Sequence, residues 1–440
     1  MKNILYTPLL AILVFSVNAQ KKVILDTDPS FDPDDVGCMA MLHTMATQGE
    51  CDILAVINST NQKESALCIS AINHFYNRGA IPIGDYKGYA KKINATENTY
   101  DYHIAKEYPR PLERWEESLD GVKLYRELLA GAQDTSITVV IIGTMHNFYG
   151  LLKSKPDAFS NKTGQELVKQ KVKLVVTMGG NFLDNRGVDR TNWGGSELLC
   201  DYTSWSCLNE ERNRMCRYVI ENCPAPFMAS GWENGNGDYY NANNGNVMSG
   251  QELKQLPKNH VVRKSYEYHF AYRGGDDNID RHSNDQCALH YAIRGESKNY
   301  AAYTNGKITL SEKGVCEWKP TLKGIQGHIQ KKRGDSLIAQ EIEVLMMGKE
   351  PKFDTSPPSM PENLSLTDTN GQKKIHWDVS KDTTPGSWVA GYKIYRNGKF
   401  TRRVYGRQYS VDEALEKDVI YEVSAFNASG TESKRNQLKL

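Results

Sequence analysis

Between Lys22 and Leu42 the chain reads KVILDTDPSFDPDDVGCMAML, and five aspartates (Asp26, Asp28, Asp32, Asp34 and Asp35) fall within ten positions. Carboxylates packed this densely repel one another. They stay ionised together only where a cation sits among them or water screens them. The apolar run Val23-Ile24-Leu25 predicts a buried parallel strand, and Val36 to Leu42 predicts the start of a helix. The aspartates thus fall where a strand hands over to a crossover helix, which in open α/β sheets is where ligands bind. An aspartate-rich solvated turn is the plainer alternative.

Known carboxylate loops narrow the choice. An EF-hand counted from Asp26 needs Gly at its sixth position and Glu at its twelfth, and Phe31 and Gly37 stand there. A haloacid dehalogenase phosphatase also opens with a strand and Asp-x-Asp, but has no use for Asp32, Asp34 and Asp35. A hard-cation site made of oxygen ligands remains. Calcium suits many carboxylates better than magnesium, which keeps its waters.

The elements that must position these residues are legible as alternation. Strand candidates are 23–25, 53–57, 81–83, 137–142, 174–178 and 226–229. Helix candidates between them are 63–77, 121–129, 148–153, 164–169 and 209–220. Alternating units of this kind predict an α/β fold, a mostly parallel sheet flanked by helices, over residues 20–348. Residues 349–363 carry four prolines and read as a linker. Residues 364–440 change period, with short alternating strands at 373–377, 391–395, 401–405 and 420–426, and predict a small C-terminal β-sandwich.

The 440-residue chain has a net charge of +1, so it carries no electrostatic footprint for nucleic acid. Residues 1–19 read as a cleavable signal peptide: Lys2, an apolar centre from Leu9 to Val17, and a Val-Asn-Ala cleavage site. That stretch is too short to span a membrane, and no later segment is long and apolar enough. The expected location is secreted or periplasmic, where calcium is plentiful. Of nine cysteines, Cys200, Cys207, Cys216 and Cys223 cluster without Cys-x-x-Cys spacing. Zinc is therefore not indicated, and local disulfides and buried thiols both stay open.

Taken in order, the motifs resemble the inosine-uridine-preferring nucleoside hydrolase family in its exported bacterial branch. The likeness rests on Asp26-Thr27-Asp28-Pro29-Ser30-Phe31-Asp32-Pro33-Asp34-Asp35 (with Ser30 where Gly is usual) and on Ile141-Ile142-Gly143-Thr144-Met145-His146-Asn147. It continues through Val176-Thr177-Met178-Gly179-Gly180, Ser230-Gly231-Trp232-Glu233 and Arg281-His282-Ser283-Asn284-Asp285-Gln286, over roughly residues 21–348. The last segment resembles a fibronectin type III module through Trp377, Gly391 to Arg396 and Tyr421 to Asn427.

The resemblance implies calcium held by Asp28, Asp35, the carbonyl of His146, and Asp285. It implies Asp28 as general base, with Asp34, Asn61 and Glu233 on the substrate. Asp285 also suits an N-terminal helix cap, and Asn61 a turn. Asp26 is expected to order the loop by accepting backbone N–H bonds, and Asp32 to be supportive or exposed. The implied reaction is hydrolysis of ribonucleosides to ribose and base. Asn284 stands where well-known branches place a His, so the leaving-group acid is missing and His282 is the nearest substitute. Asn181, Asn192 and Asp201 are candidates on the 5′ side of the sugar, and Trp193, Trp205, Trp232 and Tyr268 for stacking on a base. Two alternatives follow: a related glycosidase for another ribosyl or sugar compound, and a non-catalytic calcium-dependent ribose- or glycan-binding protein. The expected partner is a small ribonucleoside or ribosyl compound. A homo-oligomer is compatible with the sequence, as is contact with a surface glycan or protein through the C-terminal module.

Overall fold

The computed structural model describes residues 20–30, 32–60, 62–88, 98–183, 189, 192–199, 207–237, 245–275, 277–369, 372–411 and 419–439. The proposed signal peptide lies outside them. Strands β1 (Lys21–Thr27), β2 (Cys51–Asn58), β3 (Ile83–Asp85), β4 (Leu119–Asp120), β5 (Ile137–Ile141), β6 (Val172–Met178) and β7 (Phe227–Ser230) are all parallel to their neighbours. A two-stranded ribbon, β8 (Met248–Ser249) and β9 (Arg281–His282), comes next. Strands β10 (Tyr300–Leu310), β11 (Cys316–Pro320) and β12 (Gln326–Lys331) then return to the main sheet. Its order is β11-β10-β12-β7-β6-β5-β1-β2-β3-β4, antiparallel only around β10.

Both faces of this sheet are covered, which is why its strands read as continuous apolar runs. Val23, Leu25, Val140 and Val176 point to one core. Ile24, Val139, Ile141 and Val175 point to the other. The helix Asp34–Thr47 is buried nearly end to end. Gly37 makes that possible: a Cβ there would stand 2.5 Å from Gln286 Nε2 and 2.6 Å from Tyr266 Oη. Absence of a side chain lets the helix Asn284–Arg294 come close. Among the described residues, no helix is long and apolar enough to cross a membrane.

The winding reverses at β1, which lies between β2 and β5. The loops after β1 and β5 therefore open into the crevice where α/β sheets bind ligands.

The C-terminal part is a β-sandwich of two antiparallel sheets. One contains β13 (Ser365–Thr369), β14 (Gln372–His376) and β17 (Gln408–Val411). The other contains β15 (Val389–Arg396), β16 (Lys399–Val404), β18 (Ile420–Asn427) and β19 (Asn436–Lys439). Trp377, Tyr392, Ile394, Tyr421 and Val423 fill its core.

The sandwich is docked. Trp388 is 5% exposed, and its indole N–H donates to the Ile53 carbonyl at 3.1 Å. The Arg78 guanidinium lies 5.1 Å from its ring and donates to Gly386 O. The Ala80 N–H bonds Ala428 O, the Tyr405 N–H bonds Glu127, and Arg407 bonds Gly131 O. Asn77 and Asn427 pin Pro351 and Asp354 of the proline-rich stretch. These contacts lie toward the N-terminal ends of β2, β3 and β5, away from the crevice.

Among the described residues, Cys216 and Cys223 are buried thiols outside any disulfide, while Cys207 is disulfide-bonded.

Candidate active site

Each acidic side chain of the crevice is set by a strand end or a helix start. Asp26 ends buried in β1. Side chains, rather than the backbone N–H groups expected, satisfy it: Tyr125 Oη donates at 3.0 Å and Asn147 Nδ2 at 3.3 Å. Its own carbonyl accepts the N–H groups of Ile142 and Gly143, tying the β1 and β5 loops together. Ser30 accepts the Gln62 amide at 2.8 Å, a use for a hydroxyl where a glycine was usual.

Asp34 and Asp35 open the helix Asp34–Thr47, and Asp285 lies in the first turn of Asn284–Arg294. The N-cap of the latter is Ser283, so Asp285 is not the cap. One carboxylate oxygen from each of Asp34, Asp35 and Asp285 lies within 4.8 Å of the others, and all three residues are buried. Burial, and then repulsion from neighbouring aspartates, pushes all three well above the usual carboxylate range. Two helix N-termini pointing at one spot offset part of that cost.

Asp28 lies outside this 4.8 Å group but beside it. Its backbone N–H donates to Asp35 Oδ1 at 3.1 Å, and Thr27 Oγ1 donates to the same oxygen. Burial pushes Asp28 up to about 7, with Arg212 opposing. A Cβ on Gly143 would stand 2.8 Å from Asp28 Oδ1 and 2.3 Å from Ser59 Oγ, so only glycine leaves room for the Asp28 carboxylate. His146 opens the helix His146–Lys153. Its Nδ1 meets Thr144 Oγ1 at 2.6 Å, and burial lowers its pKa to about 4.

Asp32 is neither idle nor merely exposed. Arg281 Nε donates to its two carboxylate oxygens at 2.8 and 2.9 Å, with a further bond from Nη2. Burial works against ionisation of Asp32, but Arg281 outweighs it and holds the carboxyl below the usual range.

Glu233 is buried in the turn after β7 and accepts the Phe182 N–H at 3.3 Å. Asn284 forms a reciprocal pair with Asn236: its amide donates to Asn236 Oδ1 at 3.0 Å and accepts the Asn236 N–H at 3.2 Å. His282 is lowered to about 4 by burial and by Arg281. It therefore favours the neutral imidazole at neutral pH and is a poor general acid. Asn181 and Asn192 are both buried. Asn192 donates to the Ile142 carbonyl, at the crevice. Trp193 belongs to the second core, and Tyr268 stacks on His103 at 4.3 Å. Asn61, Asp201 and Trp205 lie outside the described residues.

The roles of three residues escaped the sequence reading. Asp189 is buried and accepts the N–H groups of Gly180 at 3.1 Å and Gly195 at 2.9 Å, so it orders the Met178-Gly179-Gly180 turn. Nothing in its neighbours' pattern marks it. Arg212 is buried and acts electrostatically on Asp28, Asp189 and Cys216. Arg281 could have been found from charge balance alone, since it is the only cation inside the late acidic motif.

The donor set suits a hard divalent cation: several buried carboxylate oxygens, raised by burial and one another, with no thiol among them.

No family model matches the chain, and no curated protein gives a significant match. Solved structures do match. A purine-preferring ribonucleoside hydrolase from Gardnerella vaginalis aligns with TM-score 0.52 and 12% identity over 74% of this chain and 98% of its own. An inosine-guanosine nucleoside hydrolase gives 0.52 and 14% over 74% and 98%. An inosine-uridine-preferring nucleoside hydrolase from Bacillus anthracis gives 0.50 and 12% over 75% and 100%. The large domain of this chain, with its mostly parallel sheet flanked by helices, therefore has the nucleoside hydrolase fold.

Proposed function

We propose that this chain is an exported, calcium-dependent hydrolase that cleaves the N-glycosidic bond of ribonucleosides to ribose and base. The observation that carries the reading is the buried Asp34, Asp35 and Asp285 cluster at the reversal point of a nucleoside hydrolase fold. Asp35 and Asp285 are assigned to the cation, with Asp28 and the His146 carbonyl completing the set. Asp34, whose carboxylate lies in the same cluster, is shared between the cation and the ribose hydroxyls. A cation held there orients vicinal hydroxyls and lowers the pKa of a water.

Asp28 accepts the proton of the attacking water. Its backbone anchor on Asp35 fixes its position, and Gly143 leaves space on one side. As the water oxygen bonds to the anomeric carbon, the C–N bond breaks and its electron pair leaves with the base. Positive charge develops on the sugar meanwhile, and the surrounding carboxylates stabilise it. Asn61 and Glu233 are assigned to the sugar. The C-terminal sandwich is assigned as a fibronectin type III-like module.

One observation favours a second reading within the same chemistry, a related ribosyl substrate. The Asn284 amide is committed to Asn236, and His282 favours the neutral imidazole, so neither gives the base side a good general acid. Leaving groups that depart without an acid fit such a site better.

The test is ribose release from a panel of nucleosides and other ribosyl compounds, with and without chelator, for wild type and Asp28→Ala. Release that needs calcium and Asp28 is expected. Turnover indifferent to chelator rejects the cation assignment. Binding without any release favours a non-catalytic ribose- or glycan-binding protein.

A further inference from the structure

Asp32 and Arg281 are far apart in the sequence, yet they form one forked ion pair, 23% and 32% exposed at Arg281 and Asp32 respectively. Each end of the pair is strapped down. The Asp32 carbonyl accepts Tyr100 Oη at 2.8 Å, and Tyr100 is fully buried. Arg281 lies on β9, which pairs with β8 through Ser249↔Arg281 and Met248↔His282. The next residue, Ser283, bonds Val247 O through its N–H at 2.9 Å and meets Ser249 Oγ at 2.6 Å. Two residues after that stands Asp285. On the other side, Asp32 stands two residues before Asp34 in the same loop, close enough to act on it electrostatically. The ion pair thus ties the late strap to the loop that leads directly into Asp34 and Asp35.

We propose that Arg281 and Asp32 are positioning residues for the cation: a latch that sets the first aspartate loop against the helix carrying Asp285. The argument has two parts. The cluster draws its carboxylates from two segments that share no covalent neighbourhood, so their spacing must be imposed by contacts between those segments. The fork of a guanidinium on a carboxylate fixes orientation as well as distance, which a lysine cannot do. Outer groups that orient metal ligands are typically worth about 10- to 100-fold in metal affinity. This inference rests on the cation assignment made above.

The experiment is isothermal calorimetry with calcium chloride on the full chain, together with melting temperatures in chelator. Three proteins are compared: wild type, Arg281→Lys, and the double variant Asp32→Asn with Arg281→Gln. The lysine variant keeps the charge and loses the fork. The double variant keeps the net charge and loses the pair. Both are expected to bind calcium at least about 10-fold more weakly while their melting temperatures in chelator stay close to wild type. A calcium affinity in Arg281→Lys within about twofold of wild type overturns the latch, since charge alone would then suffice. A loss of affinity that merely follows a lower melting temperature overturns it too. Failure of wild type to bind calcium sinks the cation assignment, and the latch with it.

Discussion

Asp285→Asn gives the acidic cluster a sign test. Two unit charges 4.8 Å apart repel by about 3.5 kcal/mol at an effective dielectric of about 20. Asp285 takes part in two of the three pairs of its cluster, so ionising it beside two charged partners would cost about 7 kcal/mol. The protein avoids that by keeping protons on. Burial first, and then Asp34, Asp35 and Asp28, raise the Asp285 pKa.

Holding a proton costs about 1.4 kcal/mol for each pH unit above the unfolded value near 3.8. At pH 7 the ceiling for one carboxyl is therefore about 4 kcal/mol. Folded-state pKa raised means that stability falls as pH rises above the unfolded value. The variant escapes this loss, so in chelator Asp285→Asn is more stable than wild type, by about 1–4 kcal/mol at pH 7, and by less at pH 5. Calcium acts in the opposite direction. Wild type gains stability as calcium exceeds its Kd, about 2.7 kcal/mol at a hundredfold excess, and the variant gains little. The assay is scanning calorimetry of both proteins in chelator and in calcium, at pH 5 and 7. A variant less stable than wild type in chelator, or one that gains as much from calcium, refutes the reasoning.

Three further outcomes are expected. Gly143→Ala forces a methyl against Ser59 Oγ and Asp28 Oδ1; displacement of the Asp28 carboxylate should lower kcat about 100-fold in the ribose-release assay, with KM changed far less. Trp388→Ala empties a buried site in the docking face and should cost about 3–5 kcal/mol of stability; limited proteolysis should then release the sandwich first, while ribose release at 25 °C persists because docking lies away from the crevice. His328 is stacked between Phe182 at 4.7 Å and Tyr303 at 5.0 Å, and burial lowers it to about 4. A histidine with a depressed folded pKa loses stabilising value as pH falls from about 6.5 toward 4, so His328→Phe should show a shallower drop in melting temperature over that interval than wild type.

What the sequence determined by itself was whatever local patterning controls. Continuous apolar runs such as Val23 to Leu25 and Ile137 to Ile142 marked strands covered on both faces, and the change to a two-residue period after the prolines marked the sandwich. Five aspartates at a strand end marked the crevice. Tertiary structure alone decided who shares space with whom. Asp34 joins Asp35 and Asp285 because Gly37 lets two helices close in, and a missing side chain leaves no signature of its partner. Asp26 is held by Tyr125 and Asn147, Asp32 by Arg281, and the Met178-Gly179-Gly180 turn by Asp189, each a pairing across distant segments. The same holds for the sandwich, whose strands announce themselves while the contact of Trp388 with Arg78 joins residues far apart in the chain. Local propensity acts over a few residues, whereas ion pairs and close packing depend on distances that only the finished sheet sets.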